Sequence, residues 1–269
     1  MAGLTHPSDL YSIPPLYRET YTNVGNAVDF INAMHGAFWK GGPQYIAVMN
    51  VSDAAFQQIC SGRDCEFSCA RFMTARYFVE HGTLIVKFRH NLHVIASDHV
   101  QHGLFCRFHK LRNQHVMIRP LGPNTQYLPG ILIQPDVSYI PPTRPIEDGY
   151  PSIVIDVGNM DSLHILQAEA QLWLKNAGDL TMIVLLICIS QANEQILIER
   201  WESENDTIKC VQQIMIDHRR NITTDAPLRL PLGLIFDDMP GAPSESSIEF
   251  SAHELMDIAR KTFACVLQL

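Results

Sequence analysis

Tyr150-Pro151-Ser152-Ile153-Val154-Ile155-Asp156-Val157-Gly158 is the stretch that decides the fold of this 269-residue chain. From Ser152 to Val157 it is apolar on both faces of a strand except at Asp156. A strand buried on both sides sits centrally in a sheet whose faces are covered by helices. An acid inside such a run asks for a reason, and either a site or a buried hydrogen-bonded pair supplies one.

Downstream, residues 161–176 carry a helical stripe of Leu163, Leu166, Ala170, Trp173 and Leu174, with Asn159 or Asp161 as the cap. Strands are predicted near 180–189 and 195–201 around the turn Gln191-Ala192-Asn193-Glu194, which makes them a hairpin. A further strand follows near 208–215, and 228–236 adds another. After the loop 241–247, residues 251–267 form a helix opened by the capping-box pair Ser251 and Glu254.

Upstream, Pro141-Pro142-Thr143-Arg144-Pro145 and Pro135-Asp136 interrupt the chain, and Ile131-Leu132-Ile133 precedes them. A half-buried strand is expected over 114–119, a helix over 92–108, and a strand over 83–88 behind the Gly82 turn. Residues 45–49 read as a strand and 53–60 as a short helix capped by Ser52. Residues 1–45, with Pro14-Pro15, Gly41-Gly42-Pro43 and a helical pattern through Val28, Phe30, Ile31 and Met34, read as an extension packed on a 46–269 domain.

Apolar residues make up 46% and charged residues 18%, the balance of a chain that folds around a core. A formal net charge of −8 argues against a nonspecific binder of phosphate backbones. Met1 to Pro7 has no basic start and no apolar stretch, so an intracellular location, cytoplasmic or nuclear, is expected. The run 180–189 is too short to cross a bilayer as a helix, and no membrane association is expected.

Seven cysteines, an odd number, read as reduced thiols. Cys60, Cys65 and Cys69 lack the paired C-x-x-C units of a common zinc site. Seven of the twelve histidines fall between His81 and His115, and His99 and His102 share a helix face, yet nothing fixes a tetrahedral set. No serine-hydrolase elbow, phosphate-binding loop or dinucleotide fingerprint is present.

Several segments, in their order, resemble the fungal branch of the PD-(D/E)XK nuclease-like proteins, relatives of restriction endonucleases. They are Thr83-Leu84-Ile85-Val86-Lys87, Pro135-Asp136-Val137-Ser138-Tyr139 with Pro141-Pro142, the deciding stretch itself, Ala168-Glu169-Ala170-Gln171-Leu172-Trp173-Leu174, and Ile198-Glu199-Arg200-Trp201-Glu202. The resemblance covers about 83–202. It implies an α/β fold of the restriction-endonuclease-like kind: a mixed central sheet flanked by helices, in a single domain with N- and C-terminal extensions.

That resemblance also implies a site. Asp136 matches the first aspartate of the family and Asp156 its second acid, which members usually supply as glutamate. Together they would hold Mg²⁺ or Mn²⁺, a hard cation that activates water and neutralises charge on the phosphate. Gly158 stands where the lysine is expected, as is common in the fungal branch, and His93-Val94 stands where members show His-Glu. Glu169 corresponds to an acid on the second helix. It lies within the apolar arc of that helix and is either buried with a partner or solvated on a partly exposed face.

Three functions stay open at this point. One is a divergent fold whose nuclease site has degenerated and now serves a small-molecule reaction or binding, with a deep apolar pocket near His93, Asp156 and Glu169. The second is an active metal-dependent phosphodiesterase on nucleic acid. The third is a noncatalytic interaction domain. A homodimer is compatible with each.

Overall fold

The computed structural model describes residues 7, 11–61, 73–111, 118–122, 125–146, 149–237 and 246–264. The chain divides into two compact units, Met1–His90 with Thr125–Gln134, and Asn91–Asn124 with Pro135–Leu269. The boundary expected at 45/46 falls inside the first of these units, and the expected 83–202 core draws on both.

The first unit is built on a six-stranded sheet. Its strands are β1 (Arg18–Thr20), β2 (Tyr45–Met49), β3 (Met73–Phe78), β4 (Thr83–Phe88), β6 (Gln126–Leu128) and β7 (Ile131–Ile133), in the order β1-β2-β4-β3-β7-β6. Helices α1 (Val24–Phe38) and α2 (Asp53–Ser61) bring Val28, Ile31, Phe38, Ala55, Phe56 and Ile59 into its core. Both helices start at side-chain caps. The Asn26 N–H donates to Asn23 Oδ1 at 2.9 Å and the Ala55 N–H to Ser52 Oγ at 3.2 Å. Thr83–Phe88, which opens the family resemblance, pairs with β2 and β3 in this sheet.

The second unit carries a seven-stranded sheet in the order β13-β12-β11-β10-β9-β8-β5. Here β5 is Arg119–Pro120, β8 Val137–Ile140, β9 Ile153–Asn159, β10 Ile183–Ser190, β11 Gln195–Glu204, β12 Thr207–Asp217 and β13 Ile222–Thr223. The deciding stretch is β9, an interior strand, as expected from its two apolar faces. It runs parallel to β10, with α4 (Leu163–Asn176) as the connection between them. The predicted hairpin is β10–β11, closed with Ser190 opposite Gln195.

Period-two alternation sorts the two faces of this sheet. Ile153, Ile155 and Val157, with Ile183, Leu185, Ile187, Ile196 and Ile198, belong to a core shared with α3 (Asn91–Leu111) and α6 (Ala252–Ala264). The alternate residues, Asp156 among them, face the side that α4 covers. Helix α6 opens with the expected capping box: the Ser251 N–H donates to Glu254 Oε2 at 2.9 Å, and the Glu254 N–H to Ser251 Oγ at 3.3 Å.

The segment 228–236 departs from its predicted strand. β14 (Leu228–Pro231) pairs with β15 (Ser247–Phe250), and the chain then turns into the short helix α5 (Leu232–Ile235). Pro231 lacks an N–H and stands at the N-cap of that helix, where its fixed φ of −62° suits the turn out of the strand. The expected strand positions 114–117, the loop 241–245 and the residues Cys65 and Cys69 lie outside the described residues.

Candidate functional site

Two carboxylates meet where β8 pairs with β9. The register sets Val137 opposite Ile155, so Asp136, one residue before β8, comes beside Asp156. The Asp136 N–H donates to Asp156 Oδ1 at 3.2 Å, and the Val157 N–H donates to Asp136 Oδ2 at 2.7 Å. Each aspartate thus binds the backbone of the other's segment. This reciprocal clasp replaces the turn role that an aspartate after proline would otherwise suggest. Asp136 is 4% exposed and Asp156 0%, and backbone amides donating to such carboxylates offset part of their desolvation.

The same row of the sheet holds a third acid. Asp156 is in register with Leu186, Leu186 with Glu199, and Glu199 with Gln213. Register partners project to one face, so Glu199 stands on the Asp156 side. Its donors are all side chains. Gln167 Nε2 donates to both carboxylate oxygens at 3.2 and 3.1 Å, Gln213 Nε2 to Oε1 at 2.8 Å, and Trp201 Nε1 to Oε2 at 2.8 Å. Gln167 belongs to α4, which fixes that helix over this face.

Glu199 lies in the segment Ile198-Glu199-Arg200-Trp201-Glu202 of the family resemblance and has no expected role there. A signal was available: Gln195-Ile196-Leu197-Ile198-Glu199-Arg200-Trp201 is apolar on both faces through Ile198. The acid that follows therefore enters a buried row, as Asp156 does.

Glu169 is fully buried on α4, which decides between the two environments the sequence allowed. His93 is also buried, near the start of α3, and its Nε2 lies 2.8 Å from Asn159 Oδ1. Asn159 has the parity of Ile155 and Val157, opposite to that of Asp156. The structure therefore joins Asp136 to Asp156, sets Glu169 on the helix that covers the Asp156 face, and ties His93 to Asn159.

Among the described residues, no three His, Cys, Asp or Glu side chains form a group able to hold a metal ion. Asp136 and Asp156 are hard-oxygen donors of the kind that Mg²⁺ or Mn²⁺ takes. Each nevertheless commits one oxygen to a backbone amide, and Gly158 supplies no cation beside them. Each carboxylate has a second oxygen besides the one that accepts an amide, and Asp136 and Asp156 are the two residues that would hold such a cation.

No family model and no curated protein matches the sequence. Among solved structures, the chain is similar to the crystal structure of a candidate nuclease belonging to DUF820 from Anabaena variabilis. The TM-score is 0.43 and the identity 13%, over 69% of this chain and 90% of that one. Among the described residues, no helix is long and apolar enough to cross a membrane.

The second unit also has cavities of about 270 and 360 Å³. Neither is lined by His93, Asp136, Asp156 or Glu169. The larger is bordered by Glu249, Ser251 and Glu254, and both of its acids are engaged by arginines, Arg229 with Glu249 and Arg107 with Glu254.

Proposed function

We propose that the chain is a divergent protein of the PD-(D/E)XK type in which the ancestral acid pair clasps strands, and that it binds or transforms a small molecule in place of cleaving nucleic acid. The observation that carries this reading is the reciprocal clasp itself: Asp156 Oδ1 accepts from the Asp136 backbone and Asp136 Oδ2 from the Val157 backbone. In this reading the two amide-bound oxygens hold β8 against β9, and the pair works as a strand clasp. Gly158 at the lysine position and the net charge of −8 support the same reading.

A metal-dependent phosphodiesterase is the second reading, favoured by the fact that the two family aspartates do meet. In that case Asp136 and Asp156 would hold Mg²⁺ or Mn²⁺, and the metal would supply an activated water.

Incubation of the full chain with supercoiled DNA and with single-stranded RNA, in Mg²⁺ and in Mn²⁺, separates the two. The expected result is no cleavage and no Mn²⁺ binding by calorimetry, with Asp136→Ala lowering only the melting temperature. Metal-dependent cleavage that Asp136→Ala abolishes would establish the second reading instead.

A further inference from the structure

The 270 Å³ cavity of the second unit lies on the other side of the sheet from the acid pair. Its walls are Phe105, Phe108 and His109 of α3, Ile118, Arg119 and Pro120 at β5, and Tyr139 of β8. Tyr139 shares the parity of Val137 and belongs to the core packed by α3, whereas Asp156 faces α4. Most of the lining is ring or aliphatic carbon. Phe105 is 61% exposed although it is a large aromatic, and it stacks on His109 with ring centroids 6.2 Å apart.

Two polar groups stand out against this lining. Tyr139 is 97% buried by its 3% exposure, yet its hydroxyl makes no hydrogen bond among the described residues. Arg119 donates from Nη2 to the carbonyls of Pro141 and Arg144, both neutral, and pairs with no carboxylate among the described residues. Its Nε is buried with no acceptor. A buried donor without an acceptor and a guanidinium without a counter-charge are costly in an isolated protein. The second cost falls if a ligand brings an anionic oxygen to the same apolar chamber.

We propose that this cavity binds a small aromatic carboxylate, its ring lying among Phe105, Phe108, Ile118 and Pro120 and its carboxylate taking hydrogen bonds from the Arg119 guanidinium and the Tyr139 hydroxyl. Aromatic walls favour a flat ring that can stack or meet them edge-on. The volume lies just below the roughly 300–1,000 Å³ of drug-sized sites, which limits the occupant to one or two rings. A planar guanidinium selects a carboxylate over a neutral oxygen. The proposal rests on the small-molecule part of the reading above and names its ligand class.

The test uses 1-naphthoate and its uncharged analogue 1-naphthylmethanol, titrated into the full chain by calorimetry and by ligand-observed NMR. Naphthoate is expected to bind at one site, and the alcohol about tenfold more weakly. Tyr139→Phe should weaken naphthoate several-fold and leave the alcohol less affected, while Phe105→Ala, at an exposed position outside the core, should weaken both. Unchanged melting temperatures would show that the variants stay folded.

Naphthoate that fails to bind at millimolar concentration would overturn the proposal. So would binding that neither variant changes, or an alcohol that binds as tightly as the acid. Failure here with no nuclease activity would leave the strand-clasp reading standing. Metal-dependent cleavage alongside naphthoate binding would overturn the clasp reading alone.

Discussion

Asp156 and Glu199 stand in one row of the seven-stranded sheet, two strands apart and equally removed from water, yet different parts of the chain hold them. Asp156 and its neighbour Asp136 use backbone amides, which every residue but proline supplies and which depend only on register. Glu199 uses Gln167, Gln213 and Trp201, which depend on side-chain identity in two strands and a helix. An acid anchored on the backbone tolerates changes in the residues around it, whereas one anchored on side chains requires several positions to be retained together. The second arrangement is the more exacting design, although the family resemblance points to the first.

Replacing Glu199 is the strongest way to press this contrast. Glu199→Ala leaves three side chains donating to nothing and should cost about 3 kcal/mol in urea unfolding. Glu199→Gln is expected to lose about 2 kcal/mol, because its amide turns an N–H toward a ring of donors. A glutamine variant as stable as the parent would mean that side-chain donors are not what holds the carboxylate.

On the other side of the comparison, Asp136→Ala removes one acceptor from a backbone N–H. It should cost about 1.5 kcal/mol and speed hydrogen exchange at Val157 more than at residues of β11. Equal acceleration across the sheet would show that the clasp is not local.

The mildest test uses an acid that water still reaches. The Ser251 N–H, followed by the Ser251 hydroxyl and Arg107, holds the Glu254 carboxyl below the usual glutamate range. A folded value below the unfolded one gives stability that is present above the unfolded pKa and lost as the pH falls through the folded one. Thermal melts of Glu254→Gln should therefore sit within about 1 kcal/mol of the parent at pH 7, and the two should converge on acidification.

Part of this fold and site could be read from residue order. β9, α4, β10 and β11 were legible because each follows one strict period and the turn at 191–194 is polar. Asp156 was legible because an acid in a two-faced apolar strand has few bland explanations. The sheet to which Thr83–Phe88 belongs was not: an apolar run reports burial, and its partners lie far away in sequence. The burial of Glu169 was undecided because the apolar arc of α4 is wide enough to be packed at its centre alone. His93 was assigned by analogy, and the alternation along β9 that ties it to an odd-numbered residue became visible only with the strand bounds in place.

The path of the chain between the two units has a consequence for how the protein can be made or cut. Residues leave the first unit after His90, return at Thr125 and leave again after Gln134. β3 therefore finds its neighbour β7 only when the polypeptide has grown past residue 133. A fragment ended at residue 90 would lack the β7 partners of Arg76, Tyr77 and Phe78 and would display that edge of β3 as an open template for other copies. Such a fragment should precipitate on expression, so any dissection of this protein has to carry residues 125–134 along with the first ninety.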